Sequence, residues 1–448
     1  MRISVVGTGY VGLTTGVCLA EKGHSVICLD KDAAKVARLQ KGECPIYEHG
    51  LEPMMQRNMA RGRLEFGDNA ARIQGSDVVF IAVGTPEGSD GSPDVTAVMS
   101  AAEECAPYLN DGGVLVVKST VPPMTWRDVA RCVAQARSSA DAKGDVHVAV
   151  NPEFLKQGTA VEDTMHPARV IIGVDDAVAR AALLDLYADW SVPIVITDPV
   201  SAMLIKYGSN CFLATKISFV NEMANLCDVI GADIDDVALG MGLDPRIGPK
   251  FLQAGLGYGG SCFPKDTTGL LSVASAAGTR MGILQATKTA NEGQVAIAVS
   301  KLERVIGPVK GQTVAIFGVA FKAGTDDLRE SRGVALAREL LSRGGAVTGY
   351  DPVVFGKAVH LPFPLLNDPI SCATGASAVI IATDSEAMTT LDWSRIASVM
   401  RQRVILDGRN ILDPEAVAEA GMTYISMGRR GVVAPCDQPA GVQGRQTT

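Results

Sequence analysis

Cys262 lies in a segment that could perform nucleophilic chemistry. The segment reads LGYGGSCFPKD, with three glycines before the cysteine and Lys265 and Asp266 after it. Glycines let a backbone approach a ligand closely, and a cysteine thiolate forms covalent intermediates. The charge of Lys265 would favour the thiolate, whereas Asp266 alone would oppose it. The segment therefore indicates a reactive cysteine, and a buried, inert cysteine in a tight turn is the alternative.

The other nine cysteines carry no comparable signal. They are scattered singly, without a CxxC pair or a Cys–His cluster at zinc spacing. They are Cys18, Cys28, Cys44, Cys105, Cys132, Cys211, Cys227, Cys372 and Cys436. This distribution predicts reduced thiols, no metal site and a cytoplasmic protein rather than a disulfide framework.

A glycine-rich loop near the start of the chain indicates a dinucleotide site. Gly7, Gly9 and Gly12 follow a predicted strand and open a predicted helix, and Asp30 ends the next strand, 18 residues after Gly12. In dinucleotide-binding folds such glycines allow a tight turn, contact with the pyrophosphate and close helix packing. Asp30 can bond ribose hydroxyls and would repel a 2′-phosphate, which favours NAD, although Lys35 could soften that preference. A glycine-rich turn without a ligand is the alternative.

Other polar residues follow predicted strands or interrupt an apolar helix. Thr85 and Thr120 lie in the turns VGTP and STVP, and Glu153 follows the fifth strand. Lys206 and Asn210 are four residues apart on one face of a predicted helix. Each residue alone is an ordinary turn or surface residue. Thr85 and Thr120 are expected to face the cofactor, because ligands of parallel sheets bind beyond the carboxyl ends of the strands. The other polar residues together predict a polar cleft between the domains; they are Glu153, Lys206 and Asn210, with Lys322, Asp326, Asp327 and Arg329 after the first strand of the second α/β half.

The elements that must position these residues form an α/β protein. Short apolar runs alternate with amphipathic helices in the first third and again from Thr313, which predicts two Rossmann-like, doubly wound parallel-sheet domains. Helices predicted over Ala202–Ile230 and Gly282–Val305 form a long central helix and a helical domain between them. The predicted strands are Ile3–Val6, Ser25–Leu29, Asp77–Val83, Val114–Lys118, Val146–Val150, Val314–Phe317, Ala346–Tyr350, Ala378–Ala382 and Val404–Leu406.

The predicted domains are residues 1–200, 201–305 and 306–428, followed by a disordered tail at 429–448. The long helix is expected to be a linker and the surface of a homodimer or higher homo-oligomer, or simply a core helix.

Composition excludes some classes of protein. Of the 448 residues 47% are apolar, which excludes a disordered chain, and 41 basic against 49 acidic residues disfavour nucleic-acid binding. No apolar run reaches the roughly 18 residues that a membrane span needs.

Taken in order, these segments resemble the UDP-glucose/GDP-mannose dehydrogenase family from residue 1 to about residue 428. The matching segments are VVGTGYVGL, GECPIYEHGLEP, VGTP with DGSPD, KSTVPP, NPEFLKQGTAVED, KYGSNCFLATKISFVNE, DPRIGPKFLQAGLGYGGSCFPKD, AFKAGTDDLRES and LDGRN. The resemblance implies an NAD-dependent, four-electron oxidation of a nucleotide sugar's C6 alcohol to a carboxylate, with thiohemiacetal and thioester intermediates on Cys262. UDP-glucose is the favoured substrate, and GDP-mannose and UDP-N-acetylhexosamines are the alternatives. A non-catalytic regulator that binds NAD or a nucleotide sugar is a further alternative.

The resemblance also implies roles for individual residues. Glu153 would be the base for the hydrolytic water, Lys206 and Asn210 would stabilise an oxyanion, and Asp266 would position water or act as a base near the thiol. The implied cofactor contacts are Gly7, Gly9, Tyr10, Val11, Gly12, Asp30, Lys35, Thr85, Thr120, Gln157, Lys265 and Arg329. The implied nucleotide-sugar contacts are Phe154, Leu155, Arg246, Phe251, Leu252, Gln253, Tyr258, Gly259, Phe321, Lys322 and Arg409, with Arg246 reaching across a dimer interface.

One position departs from the family pattern. The family usually has Glu four residues after Glu153, whereas this chain has Gln157. Glutamine keeps the hydrogen-bonding capacity but cannot take a proton at neutral pH. We therefore expect Gln157 to contact the nicotinamide region of the cofactor and Glu153 to act as the base.

Overall fold

The computed structural model describes residues 1–88, 91–357 and 359–431. The chain divides into two compact units. The first unit comprises Met1–Asn210 with Thr268–Arg280, and the second comprises Cys211–Thr267 with the chain from Met281 onward. Cys436 and residues 432–448 of the predicted tail lie outside the described residues, and the predicted three-domain division stays a prediction.

The first unit is built on an eight-stranded sheet. Its strands are β1 (Arg2–Val6), β2 (Ser25–Leu29), β3 (Leu64–Gly67), β4 (Val78–Ile81), β5 (Gly113–Val117), β6 (Val146–Val150), β7 (Val170–Gly173) and β8 (Ile194–Thr197). Their order is β3-β2-β1-β4-β5-β6-β7-β8. The sheet is parallel from β3 to β6, as predicted, but β7 pairs antiparallel with β6 and parallel with β8.

Both faces of this sheet are buried, because neighbouring side chains along a strand point to opposite sides. Val78 and Phe80 of β4 pack in one apolar core, and Val79 and Ile81 pack in another. The helices of this unit are α1 (Tyr10–Glu21), α2 (Ala33–Gln40), α3 (Leu51–Ala60), α4 (Thr96–Cys105), α5 (Thr125–Ser139), α6 (Ala160–Met165) and α7 (Ala177–Leu186).

Two helices contribute residues to both units, and two more belong to the second. The shared helices are α8 (Pro199–Ile230) and α10 (Phe263–Ala276). The others are α9 (Ile234–Gly242) and α11 (Gly282–Ile306). The predicted helices at Ala202–Ile230 and Gly282–Val305 are thus confirmed. Of the helices that the structure describes, none combines the length and hydropathy needed to cross a bilayer.

The second unit carries a six-stranded parallel sheet. Its strands are β9 (Thr313–Phe317), β10 (Ala346–Tyr350), β11 (Leu365–Leu366), β12 (Ala378–Ile381), β13 (Val404–Asp407) and β14 (Thr423–Ser426), in the order β11-β10-β9-β12-β13-β14. Its further helices are α12 (Arg332–Ser342), α13 (Pro369–Ala373), α14 (Glu386–Thr389), α15 (Trp393–Val399) and α16 (Pro414–Glu419). The two predicted α/β halves are therefore both present.

Candidate active site

The glycine-rich loop of the first unit forms an open cradle between β1 and α1. Gly7 has φ +100°, and a Cβ there would lie 2.7 Å from the Ala82 carbonyl oxygen. A Cβ on Gly12 would lie 1.9 Å from the Gly7 carbonyl oxygen, whereas a Cβ on Gly9 would meet nothing within 4 Å. No side chain caps the start of α1. Its first N–H groups and the open space at Gly9 therefore fit a dinucleotide pyrophosphate.

Asp30 lies at the end of β2, beside this cradle. Its Oδ2 accepts hydrogen bonds from the Thr8 N–H (2.9 Å), the Thr8 hydroxyl (2.6 Å) and Lys35 Nζ (2.8 Å). Burial alone would raise the pKa of Asp30, but the hydrogen bonds from Lys35 and Thr8 outweigh it and lower the pKa to about 2. The carboxylate is therefore ionised at neutral pH and positioned to repel a phosphate. The sequence did not reveal Thr8 as its partner.

The turns after β4 and β5 lie together in the structure. The Thr85 hydroxyl donates to the Thr120 carbonyl at 3.0 Å, and both residues are buried. The Ser119 hydroxyl donates to the Val83 carbonyl at 2.7 Å. These bonds fix two neighbouring strand ends at the edge where ligands of parallel sheets bind.

Glu153 and Lys206 form a buried ion pair. Glu153 lies in the turn after β6 and Lys206 lies on α8, and Glu153 Oε1 accepts from Lys206 Nζ at 2.8 Å. The other carboxylate oxygen accepts from the Leu155 N–H at 2.9 Å. Asn210, one helical turn after Lys206, is also buried. Removing one partner of such a pair typically costs about 3–5 kcal/mol, because it leaves an uncompensated buried charge.

An aromatic ring lies against this pair. The Phe154 ring centroid is 4.0 Å from the Arg169 guanidinium carbon and 5.4 Å from Lys206 Nζ. The cations are therefore partly screened from water by an apolar surface that still interacts favourably with them.

Gln157 lies in the turn before α6, and an acidic residue missed by sequence reasoning holds that turn. Glu48 accepts hydrogen bonds from the Gly158 N–H (2.7 Å) and the Ala160 N–H (3.0 Å). The neighbouring Tyr47 carbonyl accepts from the hydroxyl of Tyr10, which lies between Gly9 and Gly12 of the glycine cradle. The signal for Glu48 was its place in the GECPIYEHG segment, whose function no local pattern indicates.

In the second unit, Cys262 directly precedes α10. Its carbonyl accepts the Asp266 N–H at 2.8 Å, and its Sγ lies 3.7 Å from the Ser261 hydroxyl. The first turn of a helix carries partial positive charge, a setting in which thiolates are stabilised. Of the nine described cysteines none is in a disulfide, and Cys262 alone is exposed.

The buried cysteines have a different environment. Burial raises the pKa of the thiols of four of them to about 12; they are Cys18, Cys28, Cys105 and Cys211. These thiols are protonated at neutral pH, so they are poor nucleophiles.

Lys265 and Asp266 neutralise each other beside the thiol. Lys265 Nζ lies 2.9 Å from Asp266 Oδ1, and the Asp266 side chain is 2% exposed. The sequence indicates that Lys265 favours the Cys262 thiolate and that Asp266 opposes it. In the structure these two side chains form one ion pair with each other. The Asp266 carbonyl also accepts the Cys211 thiol at 3.7 Å, which ties α10 to α8 within the second unit.

Three buried amide side chains hold the glycine-rich loop before Cys262. The Gly255 N–H donates to Asn221 Oδ1 (2.8 Å), and its carbonyl accepts from Gln294 Nε2 (2.9 Å). Asn291 accepts the Tyr258 N–H at 2.8 Å and donates to its carbonyl at 3.2 Å. Sequence reasoning missed these residues, although Asn291 and Gln294 interrupt one face of an otherwise apolar stretch of α11.

The glycines of this loop pack closely against protein, and the expectation that they also let the backbone approach a ligand stays a prediction. A Cβ on Gly257 would lie 2.4 Å from Asn291 Oδ1. A Cβ on Gly259 would lie 2.1 Å from the Glu330 carbonyl oxygen, and one on Gly260 would lie 2.6 Å from the Phe321 ring. Any larger residue at these positions would displace the loop that leads to Cys262.

Aromatic rings surround the start of α10. Phe263 packs edge-on against Tyr258, with ring centroids 5.9 Å apart, and tilted against Phe251 at 6.3 Å. Phe251 has φ +65°, a strained conformation for a bulky residue. Leu252 is buried in a small apolar cluster, and the adjacent Gln253 is exposed.

The predicted cationic contacts to the cofactor (Arg329) and to the nucleotide sugar (Arg246, Lys322 and Arg409) divide into held and exposed residues. Arg409 donates to the Ala382 carbonyl (2.8 Å) and to the Gly257 carbonyl (3.3 Å). Arg329 and Arg246 pair with aspartates two residues before them in the chain, at 2.6 Å, and their side chains are 62% and 87% exposed. The Lys322 ammonium lies 5.8 Å from the ring centroid of the adjacent Phe321. Among the described residues, no three His, Cys, Asp or Glu side chains are grouped as metal ligands would be.

Three family models match the chain. They are the NAD binding domain (residues 1–191), the central domain (200–293) and the UDP binding domain (315–414) of the UDP-glucose/GDP-mannose dehydrogenase family. Among curated relatives, a UDP-glucose 6-dehydrogenase of Rhizobium meliloti is 43% identical over 96% of this chain and 100% of its own length. A UDP-glucose 6-dehydrogenase of Bacillus subtilis is 41% identical over 96% and 94%.

Solved structures agree with these matches. A UDP-glucose dehydrogenase from Pyrobaculum islandicum superposes with a TM-score of 0.89 and 39% identity over 96% of this chain and 98% of its own. A UDP-D-ManNAc dehydrogenase from Pyrococcus horikoshii superposes with a TM-score of 0.86 and 27% identity over 96% and 99%. With matches to all three domains and near-complete coverage, the chain belongs to the UDP-glucose/GDP-mannose dehydrogenase family.

Proposed function

We propose that this protein is an NAD-dependent dehydrogenase that oxidises the C6 alcohol of UDP-glucose to the carboxylate of UDP-glucuronate. The observation that carries the chemistry is the single exposed thiol among the described cysteines, Cys262, at the start of α10. The choice of sugar rests on relatives of 38–43% identity that are UDP-glucose 6-dehydrogenases. The UDP-D-ManNAc dehydrogenase shares only 27% identity, so that substrate class is disfavoured.

The glycine-rich loop and Asp30 are the main proposed contacts to the cofactor. NAD, when bound, supplies the hydride acceptor for each of the two oxidation steps. The loop of Gly7, Gly9 and Gly12 binds its pyrophosphate, and Asp30 accepts hydrogen bonds from ribose hydroxyls. Tyr10, Val11, Lys35, Thr85, Thr120, Gln157, Lys265 and Arg329 are proposed as further contacts.

Cys262 keeps the aldehyde from leaving after the first oxidation. Its Sγ forms a bond to the aldehyde carbon, and the carbonyl oxygen takes a proton to give a thiohemiacetal. Loss of a hydride and the hydroxyl proton converts this to a thioester. Water then adds to the thioester carbon, the C–S bond breaks, and the thiol and the sugar carboxylate are released.

Glu153 and Lys206 act as a pair in these steps. The Lys206 ammonium has three N–H donors, so it can bond Glu153 and still donate to an oxyanion, with Asn210 as a second donor. Glu153 takes the proton from the attacking water. Asp266 positions water near the thiol.

Cations and aromatic side chains bind the nucleotide sugar. Arginine grips a diphosphate through paired N–H groups, which suits Arg246 and Arg409 to this substrate, with Lys322 as a point charge. The remaining proposed contacts are Phe154, Leu155, Phe251, Leu252, Gln253, Tyr258, Gly259 and Phe321.

We also propose that the protein forms a homodimer through α8. Phe212, Phe219 and Leu226 are seven residues apart and 66%, 48% and 48% exposed. This spacing places them on one helix face, and an exposed apolar stripe of this size is typical of an interface. A cytoplasmic location is proposed because a reducing compartment keeps Cys262 reduced.

A substrate panel tests the choice of sugar. We expect kcat/KM for UDP-glucose to exceed the values for GDP-mannose and for UDP-N-acetylhexosamines by at least about a hundredfold, since a pocket built for one sugar leaves polar groups unpaired with another. NADH absorbance measures each rate. A higher kcat/KM for GDP-mannose or for a UDP-N-acetylhexosamine would show that this nucleotide sugar, and not UDP-glucose, is the substrate.

A further inference from the structure

Lys118 is a buried charged residue to which the reaction described above gives no role. It directly follows β5 and is 7% exposed. Its Nζ donates to the Asn151 side-chain oxygen at 3.0 Å and lies 3.4 Å from the Asn151 carbonyl oxygen. It also lies 5.6 Å from the Phe80 ring centroid. Burying an ammonium ion is costly, so a lysine at this position needs a reason.

Asn151 connects Lys118 to the turn that carries Glu153. Its Oδ1 also accepts from the Tyr187 hydroxyl at 2.6 Å, and its Nδ2 donates to the Ile171 carbonyl at 2.8 Å. Glu153 is only two residues further along the chain, with a proline between them. The position of the Glu153 backbone is therefore set by bonds to Asn151.

Lys118 and Glu153 also line the same cavity. The cavity has a volume of about 190 Å³ and is lined in addition by Asn151, Phe154, Arg169 and Tyr187. Because Lys118 and Glu153 are both buried, the interaction between their charges is weakly screened.

The charges around Glu153 are mostly positive. Burial lowers the pKa of Lys118 to about 8, an effect that Glu153 opposes and Lys206 reinforces. Lys118 is thus predominantly an ammonium ion at neutral pH. Burial also raises the pKa of Tyr187, which keeps that hydroxyl neutral. The remaining charged groups on the cavity are Arg169 and the ion pair of Lys156 with Asp163, at 3.0 Å.

We propose that Lys118 is a positioning residue for Glu153: through Asn151 it holds the turn that carries the carboxylate, and its ammonium adds positive charge beside that carboxylate while Lys206 donates to the oxyanion. This inference rests on the proposed role of Glu153 as the base that deprotonates water. It predicts that loss of the Lys118 charge impairs thioester hydrolysis at low pH more than it impairs substrate binding.

The test compares Lys118→Gln and Lys118→Met with Tyr187→Phe. Lys118→Gln keeps a donor for Asn151 and removes the charge, whereas Tyr187→Phe removes the other donor to the same oxygen and leaves every charge in place. The dependence of kcat and KM for UDP-glucose on pH is measured, with the intact mass of the protein during turnover and its Tm.

We expect both Lys118 variants to move the acid limb of the kcat profile to higher pH by about one pH unit, since removing a nearby positive charge raises the pKa of a carboxylate. Below that limb kcat falls about tenfold, because the ionised fraction falls by that factor. KM stays within about twofold, the sugar adduct on Cys262 accumulates, and Tyr187→Phe leaves the limb in place.

The position of the limb does not depend on how much protein is folded, so a lowered Tm in one Lys118 variant leaves the comparison valid. If the acid limb of the kcat profile does not move in Lys118→Gln and Lys118→Met, and no sugar adduct accumulates on Cys262, the inference about Lys118 is overturned. The proposed function is not affected by that result. An equal shift in Tyr187→Phe shows that hydrogen bonding and not charge is responsible, and it also overturns the inference. A wild type that forms no acid from any nucleotide sugar overturns the proposed function itself.

Discussion

At the scale of single residues, the site depends on charges that are paired before substrate arrives. Glu153 pairs with Lys206, Asp266 with Lys265, and Asp30 with Lys35. The first two pairs are buried or nearly so, and the electrostatic interaction within each pair is therefore stronger than in an exposed pair. Such pairing fixes the side chains and leaves spare donors for a ligand.

Asp30 is the residue proposed to select NAD over NADP. We expect Asp30→Asn to reduce the preference for NAD by about tenfold or more, because it removes a charge that binds ribose hydroxyls and repels a phosphate. Values of kcat/KM for the two cofactors measure this. Asp32→Asn is the control, since Asp32 caps α2 nearby without bonding Asp30 through its side chain. If the ratio of kcat/KM for NAD to kcat/KM for NADP is unchanged in Asp30→Asn, residues other than Asp30 select the cofactor.

Gln157 is expected to be tolerated at its position. Its side chain is buried in the turn that Glu48 holds, so its neutral amide is compatible with its surroundings. We expect Gln157→Glu to change kcat by less than about threefold, since Glu153 is the proposed base and the proposed mechanism needs no second carboxylate. Steady-state kinetics with UDP-glucose check this. A large gain in turnover would show that the missing charge belongs to the mechanism.

The residue types of the site could be predicted from the sequence, but their partners could not. The segments around Gly7, Cys262 and Glu153 carry local patterns. The bond between Asn291 and Tyr258 joins residues 33 positions apart, and no local pattern encodes it. Lys118 was missed because a lysine at a strand end is normally solvated, and only its burial distinguishes it.

At the scale of elements, strand ends and helix starts position the chemistry. The sequence predicts β2, β6 and β10 with the bounds that the structure has, because each is an apolar run with clear limits. The short strands β3, β7, β8, β11 and β14 were not predicted. The reversed direction of β7 was also not predicted, because hydrophobic periodicity reports burial and not strand direction.

The glycine-rich loop before Cys262 is the element most sensitive to substitution. We expect Gly257→Ala to destabilise the protein by about 1–3 kcal/mol, because φ is +95° and the new Cβ would clash with Asn291. It should also lower kcat by displacing the thiol. Gly278→Ala is the control, since Gly278 has φ +72° with nothing within 4 Å. Thermal unfolding and kcat are compared, and equal effects of the two substitutions would contradict a special role for the loop.

At the scale of the whole molecule, each of the two parallel-sheet units carries its own set of candidate residues. The cradle, Asp30 and the Glu153–Lys206 pair belong to the first unit, and Cys262, Lys265 and Asp266 belong to the second. Each unit has its own apolar cores on both faces of its sheet. The overall plan of two α/β halves and long helices was predictable, because alternation of strands and helices is visible in the sequence.

The exposed stripe on α8 predicts an oligomer. We expect Phe219→Ser to shift the protein from dimer to monomer, since it places a polar group in an apolar interface. Light scattering after size-exclusion chromatography measures the mass. Phe355→Ser is the control, because Phe355 is 44% exposed but lies outside the stripe. An unchanged mass for Phe219→Ser would assign the stripe another purpose.

The ratio of NADH formed to UDP-glucose consumed tests the central claim most directly. A thioester route through Cys262 predicts a ratio of two, because a four-electron oxidation releases two hydrides. Cys262→Ala should form no UDP-glucuronate while keeping the Tm of the wild type, since the side chain is exposed. A ratio of one with release of the aldehyde, or acid formation by Cys262→Ala at the wild-type rate, would contradict the account.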